Sequence, residues 1–273
     1  RSFHVTGVQT CALPICDDTT ILVKIFEQGS LLEAEQEAGL AVTLAQPGVV
    51  TYTDARLDPV TNKPCVRMEF FEGTNLERKI AESGPLTGAD GSRIILQLTR
   101  VLADFHNTPR PVAAHGVAHR DVKPANVFLA RTADAEAHPV LIDLEHAIAL
   151  QAATEESTPS TGFTGGTHGY SAPESYLGDY PTPAFDIFGL GATFFYVLTG
   201  TSAYPQQSPA NTAAQVCRGC SRLVLLRGQP PILRDLIASC LAVDPLTRPG
   251  TAQVAALLKQ FLGDHGKQDA SLD

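Results

Sequence analysis

The chain has 273 residues, 44% hydrophobic and 18% charged, enough to bury the core of one large domain or of two lobes. A formal net charge of −9 with no clustered Lys/Arg run excludes the electrostatic footprint of a nucleic-acid binder. The longest apolar stretch, FDIFGLGATFFYVLTG (185–200), falls short of the ~18–20 residues that span a bilayer and predicts a buried helix. No charged-then-apolar leader opens the chain, so no membrane segment is expected in it.

In chain order, the β-branched run Thr20-Ile21-Leu22-Val23-Lys24 begins a strand over 20–26. Glu33, Glu37, Leu40, Ala41 and Leu44 recur at helical spacing over 31–45, and Gln46-Pro47-Gly48 stops that helix. Strands follow near 49–54 and 65–70, and FFEGTN (70–75) reads as a connector. Beyond it Ile94, Ile95, Leu98, Leu102 and Phe105 line one helix face. VFLA (127–130) and VLID (140–143) flank a polar loop as a hairpin. Residues 151–168 are rich in Ser, Thr and Gly without periodicity and read as a loop. Helices then run to about residue 262, leaving a frayed tail over 263–273. A small sheet-rich half followed by a larger helical half predicts an α+β architecture with a ligand cleft between the two. Of six cysteines only Cys217 and Cys220 are closely spaced. A single C-x-x-C without a second pair is weak evidence for zinc or redox work, so plain thiols of a cytoplasmic protein are expected.

HRDVKPANVFL (119–129) is the decisive stretch, and it is followed in order by LIDLE (141–145), GGTHGYSAPE (165–174), DIFGLG (186–191) and CLAVDPLTRP (240–249). Together these resemble the landmarks of the protein kinase family, most nearly the eukaryotic-like serine/threonine kinases of bacteria. The resemblance implies a two-lobed fold and ATP-dependent transfer of a phosphoryl group to protein Ser/Thr hydroxyls, with self-phosphorylation possible and Mg²⁺ (or Mn²⁺) as cofactor. Catalysis of that kind is mainly positioning and charge neutralisation. By resemblance, Asp121 accepts the substrate hydroxyl proton and Lys123 touches the transferred phosphate. Asn126 and Asp143 supply oxygen ligands to the metal. Lys24 grips the α/β-phosphates and pairs with a helix glutamate, for which Glu37 fits and Glu33 and Glu35 compete. RMEFFEG (67–73) resembles the strand leading to the hinge, where the Glu69 carbonyl and Phe71 amide meet adenine with Met68 behind it. Phe128 is assigned to the same pocket.

Further residues are implied as structural or regulatory. Glu174 and Arg248 resemble a buried ion pair anchoring the loop before the substrate site, and Asp186 resembles the residue that holds the catalytic-loop backbone. Arg120 would receive a phosphate placed on the activation loop, with Thr161 and Thr164 favoured acceptors among several. Thr167 would hydrogen-bond toward Asp121.

Three features depart from the family pattern. Asp143-Leu144-Glu145 replaces D-F-G, and glutamate lacks glycine's conformational freedom. Glu145 reads either as an additional carboxylate near the metals, as in the D-x-E/D motif of small-molecule kinases, or as the mark of a catalytically silent scaffold. Leu22 stands where a small alanine is usual and would crowd the roof of the adenine pocket. Finally, VTGVQTCALPI (5–15) matches the in-frame translation of a common sequencing-library adapter, so residues 1–15 are expected to be non-native. The expected layout is therefore 16–72 as a partial small lobe and hinge lacking its glycine-rich loop and first two strands, 73–262 as the large lobe, and 263–273 as tail.

Overall fold

Alternation decides the first well-packed element. In β3 (Thr20–Phe26) Val23 and Ile25 share one face with Cys65, while Leu22 and Phe26 turn to the other face and the main core. The computed structural model describes residues 2–5, 8–14, 20–26, 30–109, 113–131, 137–150, 165–205 and 208–269, with backbone alone for 2–21, 137 and 265–269. β3 lies at the centre of a five-stranded antiparallel sheet with β1 (Ser2–Val5), β2 (Val8–Pro14), β4 (Tyr52–Leu57) and β5 (Pro64–Glu69), in the order β1-β2-β3-β5-β4. The sequence predicts that residues 1–15 are non-native and that the native first two strands are missing, and strands laid out over 1–15 do not decide that. Here β2 runs along β3 from Val8 opposite Phe26 to Pro14 opposite Thr20. Main-chain pairing along an open edge is largely indifferent to side chains, so such strands form whatever the origin of their sequence.

Helix α1 (Leu31–Thr43) starts at a capping box in which Ser30 and Glu33 satisfy each other's backbone N–H. It turns Ala34, Glu37, Ala38 and Ala41 inward, and the three alanines let it lie close on β4 and β5. The connector after β5 is not irregular throughout. Gly73–Asn75 form β6, which pairs with β8 (Val127–Arg131), and β8 with β9 (Ala137–Leu141), so the predicted hairpin gains a third strand.

The larger lobe is helical: α2 (Leu76–Ser83), α3 (Gly88–Asn107), α4 (Pro173–Leu177), α5 (Pro183–Thr199), α6 (Pro209–Arg218), α7 (Pro231–Cys240) and α8 (Thr251–Asp269). Two-residue strands β7 (Val117–Ala118) and β10 (Ile148–Ala149) pair beneath the cleft. α5 is the apolar stretch singled out above, and between Phe185 and Leu198 every residue but Tyr196 is buried. No helix of the described residues is long and apolar enough to cross a membrane. The tail differs from expectation, since α8 continues to Asp269. The apolar stripe ends at Leu262, but a solvated helix needs only the absence of a breaker; Gly263 costs about 1 kcal/mol without stopping it.

Candidate active site

The cleft is built from two segments that the fold brings under β3. The first follows β7, where Asp186 near the start of α5 accepts hydrogen bonds from the backbone N–H groups of His119 (2.9 Å) and Arg120 (2.7 Å). Its Oδ2 also meets His106 Nε2 at 2.7 Å. This anchoring holds Arg120 at φ +65°, a left-handed conformation that arginine rarely adopts and that the surrounding contacts must impose. Asp121 follows, 3% exposed. Its Oδ2 accepts from Lys123 Nζ at 2.7 Å and from Asn126 Nδ2 at 2.8 Å. The turn Pro124–Asn126 carries Asn126 back to Asp121, whose carbonyl takes a second bond from the same amide at 3.0 Å.

The second segment leaves β9. Ile142 N–H bonds the Asn126 carbonyl at 2.9 Å, which sets the two segments side by side. Asp143 then takes φ +68° and Leu144 plugs the core. Glu145 is not among the described non-glycine residues at positive φ, so in this loop the strain falls on Asp143. Above both segments, Lys24 Nζ lies 2.8 Å from Asp143 Oδ1, 3.0 Å from Glu37 Oε1 and 3.3 Å from Glu145 Oε2.

Of the eight buried side-chain polar atoms without a partner among the described residues, two are oxygens of these segments: Asp121 Oδ1 and Asn126 Oδ1. Unsatisfied buried acceptors are rare, and a cation and a hydroxyl are groups that would satisfy them. Asp143 and Glu145 add the hard oxygens that Mg²⁺ prefers. Among the described residues no three His, Cys, Asp or Glu side chains gather as a metal site by themselves. An ion here would draw on further oxygens, such as Asn126 Oδ1 and those of a ligand.

Residues 16–259 match the family model for the protein kinase domain. The chain belongs to the protein kinase domain family. Its relatives include the serine/threonine-protein kinases PknK of Mycobacterium bovis (33% identical, 77% of this chain, 17% of PknK) and PkaA of Streptomyces coelicolor (29%, 88% and 42%). PknD of Mycobacterium tuberculosis is 33% identical over 78% of this chain and 30% of its own length. The chain thus spans less than half the length of these curated relatives, between 17% and 42%. The fold is also that of Rad53 residues 1–466, solved in complex with AMP-PNP, with a TM-score of 0.71 at 22% identity over 92% of this chain and 61% of that one.

Within this kinase domain the electrostatics are set by burial against pairing. Burial alone would lower the Lys24 pKa, but Asp143 and Glu37 outweigh it and hold the ammonium well above its ordinary value. Glu37 is pushed up by its burial, with Lys24 and Tyr52 opposing. Asp143 resists the same burial through Lys24 and stays below the usual carboxylate range.

The residues expected at the hinge lie at the end of β5, an interior strand of the sheet, and just beyond it. Met68 is buried opposite Leu22 across β5 and β3; Glu69 is exposed, its N–H bonded to Thr51 O at 2.9 Å; Phe71 faces Phe128 with ring centroids 6.5 Å apart. Thr167 differs from expectation in its partner. It accepts from Lys123 Nζ at 2.6 Å and so reaches Asp121 only through that lysine. Thr161 and Thr164 lie outside the described residues. Arg120 directs Nε to the His146 carbonyl at 2.6 Å. Glu174 and Arg248 meet in the large lobe at 2.6 and 2.7 Å.

Two contributors escaped the sequence reading. Tyr52 donates its hydroxyl to Glu37 Oε1 at 2.6 Å, and His106 braces Asp186. Neither carries a motif, because an aromatic opening a strand and a histidine ending a helix are ordinary core residues. Cys217 and Cys220 are free thiols turned to separate carbonyls, those of Pro173 and Ala203.

Proposed function

We propose that this domain transfers the γ-phosphoryl group of ATP to serine and threonine hydroxyls of protein substrates, its own chain included, with Mg²⁺ (or Mn²⁺) bound. The observation that carries this reading is the division of labour within one carboxylate. Asp121 Oδ2 is fixed by Lys123 and Asn126, while Asp121 Oδ1 is buried and has no partner. Oδ1 is therefore the atom that takes the hydroxyl proton as the new O–P bond forms. The bond to the bridging oxygen then breaks, and ADP leaves with the electron pair. Lys24, held by Glu37, grips the α/β-phosphates. Lys123, between Asp121 and Thr167, neutralises charge on the group in transfer. Asn126 Oδ1 and Asp143 would hold the cation, which neutralises charge on the phosphate oxygens. Main-chain groups of Glu69 and Phe71 would seat adenine between Met68 and Phe128.

Two further parts belong to this proposal. Residues 1–15 are non-native, a reading supported by a family match that begins at residue 16; sequencing the locus upstream of Cys16 tests it. The domain works in the cytoplasm, a reading supported by four free thiols among the described residues.

The test is incubation of the full-length natural protein with Mg²⁺ and γ-labelled ATP beside an Asp121→Asn control. Label should appear on protein and fall at least ~100-fold in the control. An unlabelled but folded wild type would favour the silent scaffold. Label confined to an added choline or aminoglycoside would favour a small-molecule kinase.

A further inference from the structure

Lys24 carries one positive charge and faces three carboxylates, those of Glu37, Asp143 and Glu145. Glu145 differs from the other two. Its side chain is 46% exposed and its contact with Lys24 is the longest of the three, so it can leave for water at little cost. While it stays, the ammonium that should meet phosphate is already surrounded, and the pocket holds two negative charges in excess. A polyphosphate entering alone must displace Glu145 and is repelled by it and by Asp143 across a short distance. A divalent cation entering alone finds no group of three His, Cys, Asp or Glu ligands among the described residues. When both enter, the carboxylates that repelled the anion face the cation instead.

We infer that Glu145 makes nucleotide binding conditional on the divalent cation, by blocking Lys24 in the cation's absence and adding a carboxylate oxygen in its presence. This rests on the reading of the cleft as a nucleotide site. It assigns Glu145 a role that neither Asp143 nor Asn126 fills, since each of those is needed whether or not nucleotide and cation are coupled. Glu37 cannot fill it either, being buried and braced by Tyr52.

The experiment is calorimetric titration of AMP-PNP into the full-length natural protein, once with excess Mg²⁺ and once with EDTA. It is run for wild type, Glu145→Gln and Glu145→Ala. The quantity read is the ratio of the two Kd values. In both variants that ratio should shrink at least about fivefold, the low end of ordinary site-to-site couplings. Binding in EDTA should tighten and binding in Mg²⁺ should weaken. Because coupling is reciprocal, the gain in Mn²⁺ affinity caused by nucleotide, read by electron paramagnetic resonance, should shrink by the same factor. A ratio equal to wild type overturns the inference, and so does equal weakening in both buffers, which would make Glu145 merely structural. The half-exposed position lets both variants fold, and thermal melting checks this. If the wild type binds nucleotide in neither buffer, the nucleotide reading itself fails; binding with an unchanged ratio removes only the role of Glu145.

Discussion

Arg248 and Glu174, 74 residues apart, face each other in a bidentate pair of 2.6 and 2.7 Å with both side chains almost wholly buried. The guanidinium also donates to the carbonyls of Ala242, Ala184 and Val243 and lies 5.1 Å from the centre of the Phe188 ring. The pair therefore ties the segment after the 165–172 loop to the end of α7 and to α5. Arg248→Met would leave a buried carboxylate unpaired and remove the hydrogen bonds to three carbonyls, a loss of about 3–5 kcal/mol. Glu174→Gln leaves the arginine its three carbonyls, so it should cost less. Urea denaturation of the two variants would reveal this order, and equal losses would contradict it.

Tyr52 fixes Glu37, the ion-pair partner of Lys24. Its buried hydroxyl donates to Glu37 Oε1 at 2.6 Å, and a hydrogen bond to a charged group contributes about 1.5–3 kcal/mol. Tyr52→Phe should lose about that much stability in wild type and clearly less in a Glu37→Gln background. A double-mutant cycle by urea unfolding measures the difference; a cycle without coupling would show that the contact has no energetic weight.

The ordered motifs made the larger lobe legible, because a catalytic loop, a metal segment and an anchoring pair leave fixed residue types at fixed places. A local signal in the sequence also separates Glu37 from Glu33 and Glu35. Ser30-Leu31-Leu32-Glu33 is a capping box that commits Glu33 to the helix start, and Glu35 is exposed. Tyr52 and His106 were not legible, since each becomes functional only through a partner brought close by tertiary packing. Strand β6 was missed because three residues with a glycine carry no periodicity and pair only once β8 is in place. The reach of α8 was missed because a solvated helix leaves no apolar stripe to read.

Asp186 makes the acid limb of stability steep. Burial alone would raise its pKa, but His106, His119 and the His119 N–H prevail and hold it below the ordinary 3.8. A carboxyl held low in the folded state contributes stability that is fully present above the unfolded value. That contribution fades as pH drops below about 3.8 and is gone once the folded value is passed. Asp186→Asn should therefore flatten the fall of unfolding free energy below pH 3.8. Asp143 and Asp58, also held low, keep part of the slope. Urea titrations at a series of acidic pH values test this, and an unchanged slope would remove Asp186 from the account.

Two helical glycines, alike in sequence, should respond oppositely to a methyl group. Gly39 sits on the exposed side of α1, where an added Cβ meets nothing within 4 Å. Alanine there lowers the entropy of the unfolded chain without strain, so Gly39→Ala should gain about 0.5–1 kcal/mol. Gly191 lies in the middle of α5 against α7, and a Cβ there would come 2.5 Å from Cys240 Cβ. That atom is rigidly attached to a buried helix and cannot rotate away, so Gly191→Ala should lose about 1–3 kcal/mol. Thermal and urea unfolding of the two variants side by side decide the matter. A stabilised Gly191→Ala would mean that α5 and α7 are not packed backbone to backbone at this crossing.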